Sequence, residues 1–257
     1  MRSDLSVVII ANNASLRIGE VIGAARQISD DIIVLDSGSE DGTVDIATDL
    51  GARIYHQEWL GYSATKNIGN ALAHHDMILS LDSDEVLSHE LIDTLSDLTF
   101  ESGTIYELDR ANYFSGQRIR FSHWNPDHIP RLFNRNHARW KGDFVHEKLS
   151  YDPGMKIKLL RGKLIHYSYE NFQQRLDKVR NYARLSAHER FQNGKRTNMI
   201  WAFFSSVSKF FITYFLHLGI LDGVAGFQIA LTDACQTWQR SKIMVDLQKG
   251  IQPECCK

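Results

Sequence analysis

The chain has 257 residues, 43% hydrophobic and 23% charged, enough for one large domain or one domain with an appendage. Its net charge of -2 gives no reason to expect a nucleic-acid partner. The charge is uneven: residues 1–101 hold 18 Asp+Glu against 5 Lys+Arg, and residues 156–200 hold 11 Lys+Arg against 3 Asp+Glu. An acidic half can use a cation, and a basic half can meet an anionic surface or substrate. The three cysteines, Cys235, Cys255 and Cys256, have neither zinc spacing nor a disulfide framework, so they read as reduced thiols of a cytosolic compartment. The apolar run near the N-terminus is too short for a signal peptide, and none is expected.

Val7–Ala11 reads as the first buried strand, ending in Asn12-Asn13. Leu16, Ile18, Val21, Ile22, Ala25 and Ile28 then recur at helical spacing. Ile32–Leu35 is a second strand, closed by Asp36 and the turn Ser37-Gly38-Ser39-Glu40-Asp41-Gly42. Thr43 opens a short helix, with Gly51 suited to the left-handed position after it. Arg53–His56 is a third strand, Ser63–Ala73 a helix, and Met77–Leu81 a fourth strand. Strands alternating with helices predict a parallel sheet with right-handed crossovers. A helix over Leu87–Leu98 is predicted next, then strands and loops over 104–150, rich in Trp, Tyr and His. Helical spacing returns from Glu170.

Met199–Leu221 is nearly uncharged, with Lys209 in its middle. A central Lys costs roughly 3 kcal/mol in a bilayer, which argues against a span. Ser205, Lys209, Thr213 and His217 fall four apart on one stripe. Arg190, Lys195 and Arg196 flank the segment before it, and Arg240 and Lys242 follow later. A narrow polar stripe, a broad apolar face and basic flanks predict a helix in a membrane interface. The alternative is a helix packed on the catalytic domain or on a second subunit.

The fourth strand ends in Asp82-Ser83-Asp84-Glu85. In open α/β sheets ligands bind beyond the carboxyl ends of the strands. An isolated Asp-x-Asp reads as an N-cap pair; here the sequence before it points instead to carboxylates that share a divalent cation. No Gly-x-Gly-x-x-Gly follows the first strand and no Walker-type loop exists, which disfavours a dinucleotide-dependent oxidoreductase and a phosphate-loop kinase or ATPase.

Four pieces stand in order: Val7–Asn13, Val34–Thr43, Gly61-Tyr62-Ser63-Ala64-Thr65-Lys66-Asn67-Ile68-Gly69-Asn70, and Leu81–Glu85. Together they resemble the family-two glycosyltransferases of the GT-A fold, inverting enzymes that use nucleotide-sugar donors. Later pieces, Phe144-Val145-His146-Glu147, Ile165-His166-Tyr167-Ser168-Tyr169 and Gly219-Ile220-Leu221-Asp222-Gly223-Val224-Ala225-Gly226-Phe227, are similar to the lipopolysaccharide inner-core β-glucosyltransferases of Gram-negative bacteria. The resemblance implies an α/β fold: a GT-A nucleotide-sugar-binding sheet flanked by helices over 1–168, with a C-terminal helical membrane-associating region over 169–257.

The same resemblance implies roles. Ala11, Asn12, Asn13, Asp36 and Ser39 would hold the uridine, with Asp36 on the base edge or simply closing a turn. Lys66, where the family more often has Arg, would lie beside the nucleotide or diphosphate, and Asn67 would lock the loop. Asp82 and Ser83 would face the donor ribose or the metal's water shell. Asp84 would ligate Mg²⁺ or Mn²⁺, and His166 would be a second ligand or an acceptor contact. Arg131 would aid the phosphates or pair with a carboxylate. Glu147 would be the base that takes the acceptor proton, with Asp143 and Asp127 as rivals; its alternative is a salt bridge to Lys148 or Arg139.

The expected function is transfer of a hexose, glucose from UDP-glucose, onto the inner core of lipopolysaccharide. The alternatives are the same chemistry on another lipid-linked, capsule or cell-wall acceptor, and a non-catalytic sugar-nucleotide-binding membrane protein. Expected partners are a UDP-sugar, a lipid-linked oligosaccharide and the membrane surface, with an oligomer left open and no nucleic acid. The expected location is peripheral, on the cytoplasmic face of the inner membrane.

Overall fold

The computed structural model describes residues 2–101, 103–142 and 147–251. Asp143, Phe144, Val145, His146, Cys255 and Cys256 lie outside the described residues. The chain divides into two units, Met1–Ala111 with Pro126–His166, and Asn112–Asn125 with Tyr167–Lys257.

The first unit is built on four parallel strands, β1 (Arg2–Ala11), β2 (Ser29–Asp36), β3 (Arg53–His56) and β4 (Met77–Asp82), in the order β3-β2-β1-β4. Helices α1 (Ile18–Ala25), α2 (Thr43–Asp49) and α3 (Tyr62–Leu72) connect them. β1 is apolar at successive positions because both its faces are covered. Val7 and Ile9 pack in a core with Ile18, Val21 and Ile22, while Val8 and Ile10 pack with Ile33, Leu35 and Trp140. Register pairs Ala11 with Asp36 and Ile10 with Asp82, so three strands end side by side.

Beyond β4 the sheet is mixed rather than parallel. The strands are β5 (Glu85–Leu87), β6 (Thr104–Phe114), β7 (Gln117–Arg118), β8 (His128–Asn134), β9 (Ala138–Lys141), β10 (Lys148–Tyr151) and β11 (Lys156–Tyr169). β8 runs antiparallel to β4 and β6, β5 antiparallel to β11, and β9 and β10 form a separate ribbon. The helix expected from Leu87 begins two residues later, as α4 (His89–Asp97). Leu87 is instead the last residue of β5, paired with Leu164. Ser88 caps the helix, its hydroxyl accepting from the Leu91 N–H at 3.3 Å.

The second unit holds α5 (Phe172–Gln192), α6 (Met199–Phe211) and α7 (Gly223–Gln248). Asn171 and Asn198 cap the first two, accepting from Gln174 and Trp201 N–H groups. The helix expected through Leu221 is broken: a π turn covers Ile212–Leu216 and a 3₁₀ turn covers Gly219–Asp222. The reason is Asp222. Its buried carboxylate accepts from the backbone N–H groups of Arg120 and Phe121 at 2.9 and 3.0 Å and from the Ser122 hydroxyl at 3.1 Å.

The chain closes tightly around this anchor. A Cβ on Gly226 would lie 1.8 Å from the Gly219 carbonyl oxygen, a backbone atom that cannot swing aside. Gly226→Ala is expected to destabilise the protein by about 1–3 kcal/mol through overpacking. A useful contrast is Gly23 in α1, where nothing lies within 4 Å of the added carbon; there Ala is expected to add about 1 kcal/mol through helix propensity. Urea unfolding of both variants measures the difference, and equal midpoints would refute the crowding at Gly226.

α6 exposes large apolar residues and buries only Ala202, while α7 buries small and polar residues together with Ile229, Met244 and Val245. The inward residues of α7 include Ala225, Gly226, Ala230, Thr232, Asp233 and Ala234, while Val224 and Phe227 face outward. Of the window Met199–Leu216, only 11% is buried, at a mean hydropathy of 1.4. The polar stripe expected on α6 does not form a solvated edge throughout: Thr213 is fully buried and donates to Asp233 at 3.2 Å.

Candidate active site

The turn Ser83–Asp84 joins β4 to β5, so Asp82, Asp84 and Glu85 emerge together at the carboxyl end of the sheet. Like charges this close need cations, and the fold supplies two that are themselves buried. Lys66, on α3, is fully inaccessible; its Nζ lies 3.0 Å from Asp82 Oδ1 and 3.2 Å from Glu147 Oε1. Its ammonium also stands 4.7 Å from the centre of the Trp140 ring. Arg131, on β8, donates from one nitrogen to Asp82 Oδ2 and Glu85 Oε1, both at 2.6 Å. Glu85 is fully buried and is also met by Arg110 at 3.3 Å, which in turn pairs with Asp127 at 2.8 Å. Burial alone would raise the Asp82 carboxyl, but Arg131, Lys66 and then His166 outweigh it and hold it well below the usual carboxylate range. The Arg131 guanidinium shifts the opposite way: burial opposes its charge, and Asp82 and Glu85 outweigh burial and raise it.

Asn67, one residue after Lys66, bonds both backbone groups of Trp140: its Nδ2 donates to the carbonyl at 2.9 Å and its Oδ1 accepts from the N–H at 3.0 Å. That double bond to β9 fixes the indole beside the Lys66 ammonium. A cleft of about 350 Å³ opens here, lined by Leu60, Gly61, Ser63, Ala64, Asn67 and Trp140 among others. Glu147 pairs with neither Lys148 nor Arg139 as the surface reading had it; it reaches inward to Lys66.

At the ends of β1 and β2, Asn12 Nδ2 donates to the Ser37 carbonyl, and the Asn13 N–H donates to Ser39 Oγ at 2.9 Å. Asn13 holds φ near 50° and accepts from the Glu40 N–H at 2.9 Å. The Ala11 carbonyl accepts from the Ser37 N–H. The Asp36 carboxylate, 1% exposed, accepts from Gly38 and Ser39 N–H groups at 3.1 Å and lies 3.3 Å from His56 Nδ1. Asp36 therefore ties its own turn, which leaves less of its carboxylate for a base edge.

One carboxylate and an imidazole bear on the cation question. His166 Nε2 lies 3.5 Å from Asp84 Oδ2. Asp84 Oδ1 and Arg131 Nε are buried with no hydrogen-bond partner among the described residues. Among the described residues no group of three or more His, Cys, Asp and Glu side chains forms a cage. The unpartnered Asp84 oxygen suits an ion of the magnesium type, which is held by one or two carboxylates and completes its shell with water and substrate phosphate. The strand-end carboxylates and the buried cations that fix them gather at the carboxyl end of the sheet.

The Glycosyl transferase family 2 model matches residues 6–161, and the chain belongs to that family. A glycosyltransferase of Rickettsia conorii is 32% identical over 244 residues, covering 85% of this chain and 83% of the relative. The lipopolysaccharide core biosynthesis glycosyltransferase LpsC of Rhizobium meliloti is 26% identical over 238 residues, covering 90% of this chain and 87% of LpsC. The crystal structure of glucosyl-3-phosphoglycerate synthase from Mycobacterium tuberculosis with Mn²⁺ and UDP-glucose is 25% identical, covering 43% of this chain and 44% of that one, with a TM-score of 0.35. So partial a likeness carries no inference about this chain. The family membership makes the chain a glycosyltransferase of the fold expected from its sequence.

Sequence reasoning missed Glu85, Arg110 and Trp140. Glu85 was visible as the third acid of the cluster, but its burial was not. Nothing in the residues around Arg110 or Trp140 marks them apart from other strand cations and aromatics.

Proposed function

We propose that the protein transfers a hexose, glucose from UDP-glucose, with inversion onto a lipid-linked acceptor of the lipopolysaccharide core, at the cytoplasmic face of the inner membrane. The observation that supports this chemistry is the Lys66 ammonium, 3.0 Å from Asp82 and 3.2 Å from Glu147, which links the proposed base to the strand-end carboxylates. Asn12, Asn13, Asp36 and Ser39 form the nucleoside end, and Ser83 and Asp82 the ribose side. Asp84 and His166 would hold a divalent cation, which when bound neutralises the charge of the departing diphosphate. Lys66 and Arg131 keep Asp82 ionised and in place. Glu147 leaves Lys66 to accept the acceptor hydroxyl proton, the general-base role that a one-step inversion needs.

The acceptor reading rests on the likeness to LpsC over nearly the whole of both chains. The membrane reading rests on the second unit, where Ile200, Trp201, Phe204, Leu216 and Val224 are exposed. Exposed Arg190, Lys195 and Arg196 precede α6 and suit anionic headgroups. The test is mass analysis of lipopolysaccharide from a strain lacking the gene. The expected result is a core one hexose lighter, restored by the wild-type gene; an unchanged core would reject the acceptor.

A further inference from the structure

The second unit contains a polar cluster that the transfer reaction does not use. Asp233, on α7 and 6% exposed, lies at its centre. One of its oxygens accepts from Arg175 at 2.7 Å, and Arg175 also donates to Thr232 at 2.6 Å and lies over the Trp124 and Tyr169 rings. Arg175 is thus paired with Asp233 on its buried side. The other oxygen accepts from the Thr213 hydroxyl at 3.2 Å and is approached by two further groups. Lys209 Nζ is 3.6 Å away and His123 Nε2 is 3.7 Å away, both beyond hydrogen-bond length. The His217 ring packs against His123 at 5.6 Å between centroids.

Lys209 and His123 are each about one-third exposed, and His217 is exposed. One ammonium and two imidazoles therefore lie together at a partly exposed position, where a single carboxylate, Asp233, is shared among Arg175, Lys209 and His123. The backbone is held in shape for this. Ser122, His123 and Leu218 all take left-handed φ values near 59°, 61° and 55°, and the Ser122 N–H donates to the His217 carbonyl at 2.9 Å. Non-glycine residues in that region cost energy and persist where the surroundings fix them, often at ligand sites. Exposed Phe211, Phe215, Leu216 and Leu218 lie beside these residues in sequence. Lys209 is the sole charged residue of Met199–Leu221.

We propose that Lys209, His123 and His217 form a binding site for a lipid phosphomonoester, with the lipid's acyl chains along the exposed apolar face of α6. The chemistry fits: a phosphomonoester carries nearly two negative charges near neutral pH and three acceptor oxygens, and charge-assisted bonds are stronger than neutral ones. A choline-covered or singly charged phosphodiester satisfies the three donors less well. The proposal rests on the membrane reading of the second unit.

The test is co-sedimentation of the full-length protein with phosphatidylcholine vesicles doped with phosphatidic acid or, at matched surface charge, phosphatidylglycerol. The wild type is expected to bind phosphatidic acid vesicles about tenfold more tightly, on the strength of charge-assisted bonds. Lys209→Gln and, separately, His217→Gln are expected to remove that preference while binding to phosphatidylglycerol vesicles persists. Lys195→Gln, a change in the basic flank, is expected to weaken both alike. Equal wild-type binding to the two vesicles would overturn the phosphomonoester site and leave the membrane reading standing. Binding to neither would overturn both. Glycerol 3-phosphate that shifts the His123 and His217 ring resonances while vesicles do not bind would overturn the lipid assignment.

Discussion

Replacing Glu147 with Gln is expected to lower kcat by about 10²–10⁴-fold, the usual worth of a general base. The variant keeps the shape and hydrogen-bonding capacity of the side chain and removes its ability to take a proton. Lys66 also contacts Asp82, so the fold of the cluster should survive the change. Donor affinity should be nearly unchanged, because the base acts on the acceptor hydroxyl. Steady-state kinetics with separate measurement of UDP-sugar binding checks both statements. If Glu147→Gln turns over normally while Asp143→Asn is inactive with donor binding intact, the base is Asp143.

Replacing Arg131 with Met is expected to cost about 3 kcal/mol of stability, near the lower end for breaking a buried ion pair. Glu85 has no accessible surface, and it would keep one cation, Arg110, at 3.3 Å. Asp82 would lose the charge of Arg131 and keep those of Lys66 and His166. The pH dependence has a definite sign. A carboxyl lowered in the folded state stabilises fully above its unfolded value of about 3.9 and loses that stability as pH falls through the folded value. In the wild type the loss from Asp82 extends far into acid; in Arg131→Met it should be complete nearer pH 4. Urea denaturation across pH measures both effects. A loss below about 1 kcal/mol, the scale of a surface pair, would show that the network is not structural.

Much of this was legible in the sequence because the central strands are covered on both faces. Val7–Ala11 and Ile32–Leu35 are uninterrupted apolar runs, Met77–Leu81 is broken only by buried Ser80, and each ends in the polar residues that the sheet brings together. The turn chemistry of Ser37-Gly38-Ser39 was readable for the same local reasons. Contacts made across long separations were not. Lys66 and Glu147 lie 81 positions apart, and nothing near Lys66 indicates that its charge is buried. Leu87 looked like the first apolar residue of a helix because its strand partner, Leu164, is remote in sequence. The stripe on α6 was visible in its spacing, but its direction depends on Asp233, which belongs to another helix. Glycines 219 and 226 were noticed as part of a motif; only the approach of two backbones explains them.

The most direct test of a cation-assisted sugar transfer at the β4 end is UDP release from UDP-glucose by the purified full-length protein. Membranes from a strain lacking the gene serve as acceptor. The assay is run with Mn²⁺, with Mg²⁺ and with chelator, on the wild type and on Asp84→Ala. The Asp84 side chain lies at a turn outside the apolar core, so the variant should melt like the wild type. The expected result is release that needs a divalent ion and is abolished in Asp84→Ala. Near-normal release in chelator, or an active Asp84→Ala enzyme, would contradict the assignment of Asp84 as the ligand.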